Sequence, residues 1–351
     1  MLKAAVLGAG YMGSAITFPL MTRGIKTRLW GTWLDDELID GALKGCHPRL
    51  KKPLPEGLEL YRSEELEYAV RGVDVVFIAV ASEGFEAVFR RYLKVADGKP
   101  CLFALTKGFV QTQGKVYRIS SIAEKMYRER FGDLPFLWAS IGGPVKAVEL
   151  TDRIPTATTF GVNNNLVNRI ALSFATDYYR IFFTDDVIGV EICSALKNVY
   201  SIAIGISDGM YEGSGVYYHN LRALLFSQAL MEMALVVSAA GGWVETVLGL
   251  PGSGDLHLTS SSGRNGIYGM RIGSGEKPEQ AYREMLIEGN IAEGYNTLRM
   301  GIAFVKQLGK HKGYDLMEKL PLFQMLYRII FQGCNFRDEM DGFVKNYGAI
   351  D

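Results

Sequence analysis

Lys197 stands in Glu191-Ile192-Cys193-Ser194-Ala195-Leu196-Lys197-Asn198-Val199. Ile192, Ala195 and Leu196 precede it, and Val199, Ile202, Ala203 and Ile206 follow. That is the i, i+3, i+4 spacing of a helix with a wide apolar face. Tyr200 to Ile206 is apolar almost all round, which predicts a buried helix. An ammonium there either snorkels to solvent along its stem or is held by a partner at a working site. A second unusual stretch runs from Gly249 through Pro251, Gly252, Gly254, Asp255 and Thr259 to Ser260-Ser261-Ser262-Gly263-Arg264-Asn265. Its glycines and serines predict a loop that brings backbone N–H groups close to a small ligand, or else a plain solvent loop. Asp255 can orient the Lys197 ammonium and offset its burial. Arg264 can grip a phosphate with two parallel bonds, and Thr259 and Asn265 can add hydrogen bonds. An ammonium so held is a general acid for a carbonyl oxygen, and a base for the alcohol in reverse.

The elements that must position these groups begin at the N-terminus. Ala4-Ala5-Val6-Leu7 reads as a short strand, Gly8-Ala9-Gly10-Tyr11-Met12-Gly13 follows, and Ser14 to Thr22 reads as a helix. This is the G-x-G-x-x-G pattern between strand and helix. Gly8 permits the tight turn, Gly10 lets the backbone approach a pyrophosphate, and Gly13 lets helix and strand pack closely. Free N–H groups at the helix start then face the phosphates. A purely structural glycine turn is the alternative. The second strand, Lys26 to Trp30, ends in Trp30-Gly31-Thr32, without the acid that reads an NAD ribose. Asp35 and Asp36 are expected to cap the next helix. Arg23 and Arg28 raise NADP, and the choice between NAD and NADP stays open.

Strand and helix signals keep alternating. Ser63 is expected to cap a helix over Glu64 to Val70, and Ser82 to Leu93 is the next helix. Asp74 to Val80 and Cys101 to Leu105 are apolar runs typical of buried parallel strands, and Phe136 to Ile141 is another strand. Thr156 to Gly161 and Arg180 to Thr184 are expected as the last strands, with Asn163-Asn164-Asn165 as a turn between them. Ligands in such sheets sit outside the carboxyl ends of the strands, where Lys107 and Gly143 fall. From Ile188 the pattern is helical, with a long helix over Leu221 to Ala239. The expected architecture is α/β: a Rossmann-type doubly wound sheet over residues 1–187, then an all-α domain over 188–351, with substrate between them. Glu293 is either a helix cap or a cofactor contact.

Composition sets limits. The chain has 351 residues, 48% apolar and 22% charged, enough for two cores. Lys plus Arg and Asp plus Glu both number 38, so the net charge is zero. That argues against nucleic acid or an anionic membrane as partner and leaves room for a local basic pocket. Cys46, Cys101, Cys193 and Cys334 lack metal or redox spacing, so reduced thiols and no metal are expected. Leu224 to Ala240, broken by Gln228 and Glu232, reads as too short and too polar for membrane insertion. With no signal peptide read at the N-terminal strand, the cytoplasm is the expected compartment.

Together the motifs resemble the NAD(P)-dependent sn-glycerol-3-phosphate dehydrogenases over nearly the whole chain. The resemblance rests on Gly8-Ala9-Gly10 with Gly13, Leu29-Trp30-Gly31, Thr106-Lys107-Gly108, Gly143-Pro144 with Glu149, and Pro155-Thr156-Ala157. It continues in Leu196-Lys197-Asn198-Val199, Ser207-Asp208-Gly209, Gly254-Asp255-Leu256, Arg264-Asn265 and Glu293-Gly294. The resemblance implies reduction of dihydroxyacetone phosphate to sn-glycerol 3-phosphate, a glycerophospholipid precursor. Its implied catalytic groups are Lys197, Asp255 and Lys107. Substrate contacts are implied for Lys107, Gly143, Asn198, Asp255, Thr259, Arg264 and Asn265. Cofactor contacts are implied for Gly8, Gly10, Tyr11, Met12, Gly13, Trp30, Lys107, Ala147, Arg264, Ile291 and Glu293. A homodimer is compatible with it. The chain departs from the family in Thr32, in Gln228 and in an expanded Tyr211 to Asn220 stretch. A related dehydrogenase for another small hydroxy acid, or a dinucleotide-binding regulator without turnover, are the competing expectations.

Overall fold

The computed structural model describes residues 2–96 and 100–347, with 212–214 and 262 described by backbone alone. Its elements run β1 (Lys3–Leu7), α1 (Tyr11–Thr22), β2 (Lys26–Trp30), α2 (Asp36–Leu43), β3 (Glu59–Tyr61), α3 (Leu66–Val70), β4 (Val75–Ile78) and α4 (Ser82–Val95). Then come β5 (Cys101–Ala104), β6 (Phe109–Thr112), β7 (Lys115–Arg118), α5 (Ile119–Phe131), β8 (Trp138–Gly142), α6 (Ala147–Thr151), β9 (Thr156–Val162), α7 (Asn165–Ala171) and β10 (Tyr179–Thr184). The rest is helical: α8 (Val187–Ser214), α9 (His219–Ala239), α10 (Val244–Leu248), α11 (Asp255–Ser262), α12 (Arg264–Gly273), α13 (Pro278–Ile287), α14 (Glu293–Lys312), α15 (Pro321–Phe331) and α16 (Phe336–Asn346). The chain divides into two compact units, residues 1–110 with 117–191, and residues 111–116 with 192–351. The division falls inside α8, four residues past the expected 187/188.

The first unit is built on an eight-stranded sheet of order β10-β9-β8-β5-β4-β1-β2-β3. Six strands are parallel in the order 3-2-1-4-5-8, and β9 joins β8 antiparallel. β10 pairs parallel to β9, so the last two strands reverse the sheet's sense. Side chains of one strand alternate between two cores. Ala4, Val6, Val75, Phe77, Cys101 and Phe103 pack on one face. Ala5, Leu7, Val76, Ile78, Leu102 and Ala104 pack on the other. Burial on both faces explains why these strands read as unbroken apolar runs.

Three local expectations are corrected. Ser63 does not cap a helix; Arg62 precedes a short 3-10 turn over Ser63–Glu65, and the Ser63 hydroxyl donates to Asp36. Asn163-Asn164-Asn165 is no simple turn, because Asn164 caps α7 by accepting the Leu166 N–H at 2.8 Å. The glycine-rich 249–265 stretch is not a loop. It forms a π-helical turn over Leu250–Gly254 that runs into α11, with α12 starting at Arg264. Its glycines serve close packing: a Cβ on Gly252 would lie 2.0 Å from the Val247 carbonyl oxygen.

In the second unit α8 and α12 pack backbone to backbone. A Cβ on Gly205 would fall 2.2 Å from the Gly266 carbonyl oxygen, and one on Gly269 would fall 2.2 Å from that of Ile202. Glu232, wholly buried on α9, binds four residues. It accepts the Leu322 and Phe323 N–H groups at the start of α15 (2.6 and 2.9 Å), the Gln228 amide (2.9 Å) and the Tyr200 hydroxyl (3.0 Å). Burial nevertheless pushes its carboxyl up to about 7. Gln307 grips Val116 through both backbone groups at 2.9 Å, which ties the 111–116 stretch to α14. Val187–Tyr211 and His219–Ala239 are long and apolar enough to cross a membrane by length and composition, so α9 exceeds the short segment read from sequence. Side chains 212–214 of the Tyr211 to Asn220 stretch lie outside the described residues.

Candidate functional site

The first unit carries a turn shaped for a dinucleotide. Gly8 has φ +111°, and a Cβ there would lie 2.7 Å from the Ala79 carbonyl oxygen. Its N–H donates to the Trp30 carbonyl at 2.8 Å. A Cβ on Gly13 would sit 1.9 Å from the Gly8 carbonyl oxygen, so that glycine is required by packing. Gly10 is different: its missing side chain would meet only the Arg49 Nη1, at 3.5 Å. It precedes α1, where no side chain caps the first turn. An open backbone position next to uncapped N–H groups fits a diphosphate. Tyr11, 44% exposed, opens the helix and Met12 is half-buried. Trp30, in contrast, is wholly buried in a core cluster with its Nε1 unpartnered. Its expected cofactor contact is therefore corrected: it supports the Gly8 turn through its carbonyl.

Other groups gather along the same sheet edge. Leu7 pairs with Ile78, Ile78 with Ala104 and Ala104 with Ser140, so β1, β4, β5 and β8 end side by side. Lys107 follows β5, and its Nζ donates to the Gly143 carbonyl at 3.5 Å. Gly143, with φ +139°, follows β8, and buried Ala147 opens α6. Asp35 is not a simple cap. Its Oδ2 accepts from the Thr32 N–H (3.1 Å), the Thr32 hydroxyl (2.8 Å) and, longer, the Ala9 N–H (3.4 Å).

The second unit holds the ammonium. Lys197 donates to Asp255 Oδ1 at 2.7 Å and to Thr259 Oγ1 at 2.8 Å. The side chains of Lys197 and Asp255 are 9% and 2% exposed, so Lys197 does not snorkel. Asp255 and Thr259 are one helical turn apart on α11 and thus face the same way. Next to Lys197 on α8, the Asn198 Oδ1 accepts from the Asn265 amide at 3.0 Å. Asn265 Oδ1 in turn accepts the Gly294 N–H at 2.8 Å, which fixes its amide orientation. Glu293 accepts from the Asn198 amide (3.3 Å) and from Arg264 (3.2 Å). Arg264 stays 42% exposed, with donors to spare. The structure thus forms two networks, Lys197 with Asp255 and Thr259, and Asn198 with Asn265, Glu293 and Arg264, which adjoin at the consecutive residues Lys197 and Asn198. Ile291 lies 43% exposed just before α14.

Sequence reasoning missed the groups behind these. Glu191, 5% exposed, accepts from Arg118 (2.8 Å), the Ser120 N–H (2.7 Å) and the Ser140 hydroxyl (2.8 Å), which anchors the start of α8. His47 and Ser14 meet at the Ala9 carbonyl. Neither carried a periodic signal.

A glycine turn at the reversal point of a parallel sheet, with a helical unit bearing a carboxylate-held ammonium, defines a nicotinamide-dinucleotide-dependent oxidoreductase. Two family models match, the NAD-dependent glycerol-3-phosphate dehydrogenase N-terminus over residues 3–167 and its C-terminus over 186–341. An NADP(+)-dependent glycerol-3-phosphate dehydrogenase of Archaeoglobus fulgidus is 33% identical over 94% of this chain and 95% of its own. A glycerol-3-phosphate dehydrogenase [NAD(P)+] of Coxiella burnetii is 34% identical over 84% of each chain. The crystal structure of glycerol-3-phosphate dehydrogenase from Coxiella burnetii superposes with a TM-score of 0.82 at 30% identity, covering 98% of this chain and 99% of the other. The chain belongs to the NAD(P)-dependent glycerol-3-phosphate dehydrogenase family.

Proposed function

We infer that the protein reversibly reduces dihydroxyacetone phosphate to sn-glycerol 3-phosphate with NADH or NADPH. The observation that carries the reading is the Lys197 ammonium, buried yet held at 2.7 Å by Asp255 and at 2.8 Å by Thr259. Bound nicotinamide supplies the hydride. Lys197 donates a proton to the ketone oxygen, and takes it back from the alcohol in reverse. Asp255 and Thr259 each accept one of its N–H bonds and so hold the ammonium in place for that transfer. Arg264 grips the phosphate, with Asn265, Asn198 and Thr259 orienting the three-carbon chain. Lys107 and Gly143 provide positive charge and a backbone contact at the sheet edge. Gly8, Gly10, Tyr11, Met12, Gly13 and Ala147 serve the cofactor in the first unit, and Arg264, Ile291 and Glu293 serve it in the second.

On this reading residues 1–187 bind dinucleotide and 188–351 bind substrate. The product feeds glycerophospholipid synthesis in the cytoplasm, and the working form is a homodimer. The test supplies sn-glycerol 3-phosphate and each oxidised nicotinamide in turn and follows the absorbance of the reduced form. Turnover should be far weaker with unphosphorylated glycerol or with glycerate. Equal turnover of a carboxylate substrate would overturn the phosphate assignment.

A further inference from the structure

His47 is wholly buried in the first unit, outside every regular element, and the reaction as described does not use it. Its Nδ1 accepts the Leu50 N–H at 3.2 Å. The proton therefore sits on Nε2, which lies 2.9 Å from the Ala9 carbonyl oxygen and 3.1 Å from the Ser14 hydroxyl. Ser14 also donates to the Ala9 carbonyl at 3.1 Å, and Asp35 faces the Ala9 N–H. The second residue of the glycine turn is thus held on both sides of its backbone. His47 also closes a turn of its own. Its N–H donates to the Lys52 carbonyl (2.9 Å), its carbonyl accepts from Lys51 (2.8 Å), and Lys51 takes φ +55°. Arg49 rides on that turn, exposed, with its guanidinium beside Gly10 and 6.0 Å from the Tyr11 ring. Among the described residues no carboxylate forms an ion pair with Arg49.

We propose that His47 is a positioning residue for cofactor binding: one imidazole locks the glycine turn to the 47–52 turn and so sets the Arg49 guanidinium against a phosphate of the dinucleotide. The inference rests on the dehydrogenase reading. Gly10 is the one glycine of the turn whose side-chain space is open, and among the described residues the one atom within 4 Å of that space belongs to the Arg49 guanidinium. A cation aimed at a bare backbone next to uncapped helix N–H groups matches phosphate, either the shared diphosphate or the extra 2′-phosphate of NADP. His47 does this only as the neutral ring, because protonating Nδ1 removes the acceptor for Leu50. Burial chiefly, with Arg49 adding, holds its pKa below the usual histidine range, against the opposing Ala9 carbonyl and Asp35.

The test measures dissociation constants of NADH and NADPH through the fluorescence of the reduced nicotinamide, for the wild type, H47L, R49Q and the double variant. R49Q should weaken binding about tenfold or more. Loss with both cofactors assigns the diphosphate, and loss with NADPH alone assigns the 2′-phosphate. H47L should weaken the same cofactor or cofactors and raise their KM while leaving kcat at saturation. The double variant should be no worse than R49Q, because His47 acts through Arg49. Unchanged affinity in R49Q or H47L, or fully additive losses, would overturn the proposal. Should H47L fail to fold, R49Q decides, with circular dichroism checking that it is folded: unchanged affinity for both cofactors overturns the proposal. Wild-type turnover of dihydroxyacetone phosphate tests the dehydrogenase reading separately, since a failed His47 test leaves that turnover intact.

Discussion

The Lys197 ammonium and the Asp255 carboxylate meet at 2.7 Å with both side chains almost wholly out of solvent. A buried pair of this kind is not an efficient stabiliser, since desolvation consumes most of the attraction. Its presence therefore points to chemistry. Asp255→Leu strands a buried ammonium and should cost about 3–5 kcal/mol of stability. The double variant Lys197→Met with Asp255→Leu should regain most of that stability and none of the activity. Thermal melts of the three proteins check this. Recovered turnover in the double variant would show the pair to be structural.

Arg264 is the group assigned to phosphate. Loss of a charge-assisted bond is worth about 1.5–3 kcal/mol, so Arg264→Ala should raise the KM for dihydroxyacetone phosphate by about 10- to 100-fold. Arg264→Lys should recover part of it, because lysine keeps the charge and loses the fork. An unchanged KM in Arg264→Ala would remove Arg264 from the substrate site.

The glycines of the first turn should respond differently to the same methyl group. Gly13→Ala drives a Cβ to 1.9 Å from the Gly8 carbonyl oxygen and should lower Tm sharply. Gly10→Ala meets only the end of Arg49, so it should melt like the wild type and bind cofactor about tenfold or more weakly. Full cofactor affinity in Gly10→Ala would mean that the backbone there faces no phosphate.

Glu232 should give stability a pH slope. Its carboxyl titrates at about 7 in the fold and at about 4.3 in the unfolded chain. Between those values the native state binds the extra proton, so stability falls as pH rises through that window. Melts of the wild type against Glu232→Gln should show the slope shrinking in the variant. An identical slope in both would assign it to other groups.

Much of this was legible in the sequence. Buried parallel strands must be short and apolar, so β1, β4 and β5 stood out, and the glycines between β1 and α1 named the ligand class. Lys197 stood out because an ammonium is foreign to an apolar helix. The 249–265 stretch misled because glycine signals both flexibility and close contact, and here Gly252 and Gly263 lie against neighbouring backbone. His47 left no trace, since an irregular segment has no period to read. Glu232 was read only as a break in an apolar helix, and three of its four binding partners, Tyr200, Leu322 and Phe323, lie far along the chain.

The most direct measurement follows oxidation of reduced nicotinamide by dihydroxyacetone phosphate in the wild type and in Lys197→Met. The wild type should turn over with NADH, NADPH or both. Lys197→Met should lose about 10²- to 10⁴-fold in kcat and bind cofactor as before. A wild type inert with both nicotinamides, or a Lys197→Met enzyme of undiminished kcat, would contradict the account.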